Sequence, residues 1–99
     1  MDILKVQGEH YITFKMVGNI DGAAAPALEA QLIPALDEAK FITIDFSEVK
    51  YVSSAGMRVL LVGEKKAKSK GGKMTIANVS PFVMEIFDVT GFANILSFS

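Results

Sequence analysis

From Tyr11 to Val17 the chain alternates, Tyr11, Thr13, Lys15 and Val17 interleaving with Ile12, Phe14 and Met16. A period of two is the pattern of a strand with two distinct faces. Soon afterwards the period changes, and Leu28, Leu32 and Leu36 recur every four positions, as on one face of a helix. The same switch occurs twice more along the chain. Such alternation leaves few architectures open: a mostly parallel sheet whose strands are joined by helices.

The individual segments follow from that reading. "DILKV" and "HYITFKMVG", joined at Gly8-Glu9, predict a hairpin. Pro26 suits the first turn of a helix beginning near Ala25, and Pro34 is expected to kink or shorten it. "KFITIDFS" is compact and rich in β-branched and aromatic residues, the signature of a central strand buried on both faces. In "GMRVLLVGEKKAKSK", Gly56, Val59, Leu60, Gly63 and Ala67 share one helical side, opposite Arg58, Lys65 and Lys68. Gly71-Gly72 ends that helix, and "KMTIANV" forms the next strand. Ser80-Pro81 supplies an N-cap and a first-turn proline for "FVMEIFDVT", with Gly91 at its C-terminal end. "NILSF" closes as a last strand. The order is β-β-α-β-α-β-α-β, an α/β fold with an open sheet of about five strands and three main helices, and one domain spans residues 1–99.

Composition narrows the chemistry. With 51% hydrophobic residues and 21% charged, the 99-residue chain carries enough apolar material for one core. It has no cysteine and one histidine, His10, so neither thiolate chemistry nor a conventional zinc site is expected, and no cofactor is implied. A net charge of −1 gives no global attraction to nucleic acid or acidic membranes. Apolar runs such as Val59 to Val62 fall far short of the roughly twenty residues that span a bilayer, and "MDILKVQGEH" lacks the form of a signal peptide. A cytoplasmic protein is expected, with no small-molecule ligand.

The chemistry-bearing residues concentrate in "YVSSAGMRVLL", where an apolar strand gives way to an apolar helix. Open α/β sheets place ligands and reactive groups at this strand end. The plainest role for Ser53 or Ser54 is as the N-cap, accepting one of the helix's free amide hydrogens. Nucleophilic catalysis requires a base within reach of the hydroxyl, and the G-x-S-x-G elbow is absent. Phosphorylation suits the position better, since a helix N-terminus accommodates a phosphate's charge of about −1.5 to −2. Gly56, in the first turn, serves either close approach of another chain or close packing of helix on strand.

Elsewhere, Asp21 in "GNIDGAAAP" is placed for an Asx-turn, yet Pro26 starts the helix so much later that the carboxylate sits too early to be the cap itself and retains capacity for a partner. The five lysines of "KKAKSKGGK" complement a helix C-terminus and, without arginine or interleaved aromatics, do not make a nucleic-acid site. The carboxylates Asp37, Glu38, Asp45, Glu48, Glu85 and Asp88 show no spacing that points to acid–base catalysis.

Taken together, "GNIDGAAAPALEAQL", "IDFSEVKYVSSAGMRVLL" and "KGGKMTIANVSPFVMEIFDVTGFANIL" resemble the STAS domain of bacterial anti-sigma-factor antagonists over nearly the whole chain. The resemblance rests on a strand ending in Asp-x-Ser, a serine-bearing Gly-Leu/Met helix start and a late Pro…Phe…Gly-Phe segment, in that order. It implies a non-enzymatic module that binds a serine-kinase anti-sigma factor and frees a sigma factor. It further implies that phosphorylation of a serine weakens the complex and that a serine phosphatase restores it. Aligned on Gly56, the phosphoacceptor falls on Ser54, with Ser53 as the second candidate hydroxyl. Ser53 stands where the family commonly has aspartate, Ala55 where it often has serine or threonine, and the family's acidic loop residue falls on Asp21. The partner surface then comprises Asp21, Gly22, Ser53, Ser54, Ala55, Gly56, Met57 and Arg58. The alternative within the family is a scaffold module of a transport or stress-signalling assembly whose serine is never modified.

Overall fold

The computed structural model describes residues 1–99. Strand β1 (Asp2–Gln7) pairs antiparallel with β2 (Tyr11–Val17), and β3 (Phe41–Glu48) and β4 (Lys73–Ala77) add in parallel, giving the order β1-β2-β3-β4. Helix α1 (Ala25–Glu38) connects β2 to β3, α2 (Ser54–Ser69) connects β3 to β4, and α3 (Pro81–Thr90) follows β4. Because the strand order never reverses, right-handed crossovers bring α1 and α2 to the same face of the sheet.

That topology corrects one expectation. Strand β3 is not buried on both faces: Ile42, Ile44 and Phe46 are buried, whereas Thr43 and Asp45 are half-buried and Phe41 is exposed. The rows Ile12–Ile42–Met74 and Phe14–Ile44–Ile76 run beneath the helices, while Thr13–Thr43–Thr75 and Tyr11–Phe41–Lys73 face outward. With all the helices on one side, the alternation of a half-buried strand is what the packing demands. The covered face contributes to a single core of 23 buried apolar residues.

Two further expectations change. Helix α1 starts at Ala25, as the sequence predicts, but Pro34 does not shorten it. The proline removes the amide that Ala30 would otherwise receive; both residues are exposed, so water can satisfy the freed carbonyl, and buried Leu32, Ala35 and Leu36 hold the helix on either side. "NILSF" does not form a full strand. A 3-10 turn occupies Phe92–Asn94 and buried Leu96 anchors the segment, leaving one parallel bridge between Ile76 and Phe98. Both backbone groups of Ile76 serve it: its amide donates to Ser97 O at 2.8 Å and its carbonyl accepts from Ser99 N at 3.1 Å. The sheet therefore has four strands.

The caps form where the sequence places them. Ser80 Oγ accepts from Val83 N at 3.2 Å ahead of Pro81, and Gly91, at φ 82°, closes α3 in the left-handed conformation that glycine adopts without penalty. At the far end of the molecule the lysine run is tied down locally. Lys66 donates to Ile33 O at 3.1 Å and to Asp37 at 3.0 Å, Lys70 also pairs with Asp37, and Lys68 lies 3.6 Å from Glu64. Hydrogen bonds from Lys70 and then Lys66 hold the Asp37 carboxyl below its ordinary value of 3.8.

A depressed carboxyl pKa adds stability that is present above the unfolded-state value and disappears as pH falls through the folded one. Thermal melts of the wild type and Asp37→Asn are thus expected to differ at neutral pH and to converge as pH drops below 3.8. A gap that persists unchanged at lower pH would contradict this assignment.

Candidate functional site

The site is built where β2 and β3 run out. A bulge between Lys15 and Val17 inserts one extra residue in β3, Lys15 pairing with Asp45 but Val17 with Glu48. Beyond it the two strands are re-joined by a parallel bridge between Ile20 and Val52. Ile20 N donates to Tyr51 O at 3.0 Å, and Ser53 N donates to Ile20 O at 2.7 Å. Those two bonds fix the loop after β2, which carries Asp21 and Gly22, against the loop that enters α2. Below them, burial pushes the Asp45 carboxyl up, but the Ser47 amide at 2.8 Å, the Asn78 side chain at 3.1 Å and Lys15 outweigh it and leave the group below 3.8. Asp45 acts as a brace for the strand end.

The two serines divide the work. Ser53 has the extended backbone of an N-cap, φ −79° and ψ 167°, and its Oγ accepts from Gly56 N at 3.1 Å. Its carbonyl accepts from Met57 N at 2.9 Å, starting the helical ladder. Ser54 is the first helical residue and is exposed. With the capping bond supplied by its neighbour, the Ser54 hydroxyl stands in solvent at the positive end of the α2 macrodipole. Replacing Ser53 with alanine strands the Gly56 amide, and urea unfolding should register a loss of about 1 kcal/mol. A Ser53→Asp variant, whose carboxylate can accept the same bond, should recover most of that loss.

The remaining predicted residues separate into outward and inward groups. Asp21, Gly22 and Arg58 are exposed and Ala55 is half-buried. Gly56 and Met57 face the protein interior, so neither offers its side to a partner. A Cβ at Gly56 would lie 2.7 Å from Ile20 Cγ2 and 3.1 Å from Val52 Cγ2, so the glycine serves close packing of α2 on the bridged strand ends. Met57 is buried, and its sulfur lies 3.7 Å from the hydroxyl of Thr90 at the end of α3. Asp21 is engaged more than its spacing suggests: Oδ1 accepts from Ala24 N at 2.8 Å, and its backbone carbonyl accepts from Ala24 and Ala25. A short turn carries the cap forward to a helix start whose own cap residue, Ala24, has no polar side chain. Asp21 is exposed, and its second oxygen, Oδ2, takes no part in that bond.

Nothing in the sequence alone showed that α3 borders this site. Thr90 against Met57 establishes it; Val89 beside Thr90 is 77% exposed, and Tyr51 in the loop entering α2 is exposed as well. A pattern of three exposed or half-exposed apolar residues at helical spacing, Phe82, Ile86 and Val89, was the available signal. His10 lies at the opposite end of β2, and seven strand residues separate it from this edge, about 23 Å. That distance places the only imidazole beyond reach of either serine, so a serine hydrolase lacks its usual base here. A shallow depression of about 280 Å³ lies beside Asp21, lined by Met1, Asn19, Ala23, Ala24 and Ala27, and does not include Ser54.

The chain is 31% identical over 93 residues to the anti-sigma-B factor antagonist of Bacillus subtilis (strain 168), covering 94% of this chain and 85% of that protein. Its fold is similar to that of the anti-sigma factor antagonist SpoIIAA in its unphosphorylated form, with a TM-score of 0.84 at 17% identity, over 99% of this chain and 88% of the other. A sulfate transporter family protein from Wolinella succinogenes shares the fold as well, with a TM-score of 0.77 at 19% identity, over 95% and 80% of the respective chains. The model of the STAS domain matches residues 3–99, taking in the four-stranded sheet, the bridged loops and the capped helix that displays Ser54: the chain belongs to the STAS domain family.

Proposed function

We propose that the protein is an anti-sigma-factor antagonist, a binding module without catalytic activity of its own, controlled by phosphorylation of Ser54. The observation that carries this reading is the division of labour between the serines: Ser53 Oγ is committed to Gly56 N, while Ser54 is exposed at the same helix end. The named relative from Bacillus subtilis, which the chain matches over most of both lengths, supports the antagonist role. Likeness to a transporter-family protein is one of fold alone and gives the scaffold alternative no comparable support.

In this reading the partner is an anti-sigma factor that is also a serine kinase. It docks over the β2–α1 loop and the first turn of α2, touching Asp21, Gly22, Ser54, Ala55 and Arg58, with Ser53, Gly56 and Met57 shaping the surface from beneath. Transfer forms a bond between Ser54 Oγ and the γ-phosphorus of ATP and breaks the bond to the β-phosphate oxygen. ADP departs, and the hydroxyl proton passes to a base on the kinase. The phosphate adds about −1.5 to −2 charge within a surface matched to a neutral hydroxyl, and the complex weakens. A phosphatase hydrolyses the ester and restores the binding form.

The test is phosphosite mapping by mass spectrometry after incubation with the cognate kinase and Mg-ATP. Phosphate on Ser54, and its disappearance in Ser54→Ala, is the expected result. Phosphate on Ser53 alone, or on neither serine, would refute the assignment.

A further inference from the structure

Arg58 is the only arginine in the chain, and it lies four residues beyond Ser54 on the exposed side of α2. No carboxylate holds it. The ion pairs of this protein engage Lys5, Lys15, Lys66, Lys68 and Lys70, and none engages Arg58. Other charged residues on segments bordering the site are Asp21 on one loop, Lys50 on the other, and Glu85 and Asp88 on α3, and none of these acids pairs with it within 4.0 Å. An unpaired guanidinium one turn from an exposed hydroxyl is not required by the fold.

We infer that Arg58 is the intramolecular receptor of a phosphate on Ser54. The inference rests on the phosphorylation reading above and adds how the modified state is held. Residues four apart on a helix have Cβ atoms about 5–6 Å apart, and the favourable order places the anion N-terminal to the cation, as here. A guanidinium presents paired N–H donors that match two phosphate oxygens, which a lysine ammonium does not reproduce. Before modification Arg58 stands available to a partner. After it, the phosphate occupies the fork. Phosphorylation thereby acts twice on one surface, adding negative charge and withdrawing the only arginine from contact, and the bound phosphate becomes less accessible to hydrolysis.

The experiment installs phosphoserine at position 54 during translation, so that no kinase is needed, and follows the phosphate by phosphorus NMR between pH 4 and 8. The wild type is compared with Arg58→Lys and Arg58→Gln. A free phosphoserine loses its second proton near pH ~6. With the clamp, that pKa in the wild type lies about 0.5–1 unit below its value in Arg58→Gln, with Arg58→Lys between them. The same midpoint in all three proteins overturns the clamp. Because Arg58 is exposed, its replacement is not expected to disturb folding, and a thermal melt of each variant verifies that the comparison is made on folded protein. Failure of the kinase to modify Ser54 would refute the functional reading through a separate measurement, leaving this one intact.

Discussion

Replacing Phe87 with alanine is expected to destabilise the protein by about 3–5 kcal/mol, the largest loss of any single substitution argued for this fold. Phe87 is fully buried, with its ring centroid 6.2 Å from that of Phe46 on β3 and 5.4 Å from that of Phe98 in the closing segment. One ring therefore joins α3, the central sheet and the chain's last bridge. A domain of this size loses about 4–8 °C of Tm per kcal/mol, so the midpoint should fall by at least about 12 °C. The consequence reaches the functional end as well, because α3 presses Thr90 against Met57 in the first turn of α2. A loss below about 1 kcal/mol in urea unfolding would show that α3 is held by other contacts.

The second large effect concerns binding. In the proposed complex, Ser54→Asp places a carboxylate where a neutral hydroxyl is buried, and a mismatched charge in an interface costs about 2–5 kcal/mol. Affinity for the kinase partner should drop by roughly 30-fold or more, since 1.4 kcal/mol is tenfold. Ser54→Ala removes a small exposed group and should bind within a few-fold of the wild type. Isothermal titration with the three proteins separates these outcomes, and equal affinity across the series would remove Ser54 from the interface. Both variants leave the Ser53 cap in place, so a change in binding cannot be traced to fraying of α2.

Much of this architecture is legible in the sequence because its signals are local. The period-two run at Tyr11–Val17, the proline at position 26, the Ser80-Pro81 cap and Gly91 each fix a conformation through their own neighbours. What the sequence left unresolved depends on where elements meet. Burial of β3 on one face is the exception: Ile42, Ile44 and Phe46 alternate with Thr43, Asp45 and Ser47, a period-two signal that reading the segment as one compact apolar run overlooks. The fate of Pro34 depends on the exposure of Ala30, and the reach of Asp21 to Ala24 depends on a turn that the alanine-rich segment does not announce.

The candidate site divides along the same line. Ser53 and Ser54 are conspicuous as a pair, but which one caps is decided by the bond to Gly56, and Gly56 is assigned to packing by the bridge that brings Ile20 beneath it. Glu64 gives a further example. Its spacing to Lys68 reads as a surface pair, yet the side chain is buried with Oε1 lacking any hydrogen bond. The helix wheel places it at the edge of the apolar stripe, and only the packing around α2 decides which side of that edge it occupies.

If one exposed hydroxyl, freed by its neighbour's cap, decides whether the partner stays bound, complex and phosphate must change together. The decisive experiment follows both after Mg-ATP is added to the assembled pair, with native mass spectrometry reporting complex and phosphate in one spectrum. Intact complex is expected to decline in step with phosphate appearing on Ser54, and Ser54→Ala complex to persist under the same conditions. Phosphate accumulating on Ser54 within a complex that does not dissociate would contradict that coupling.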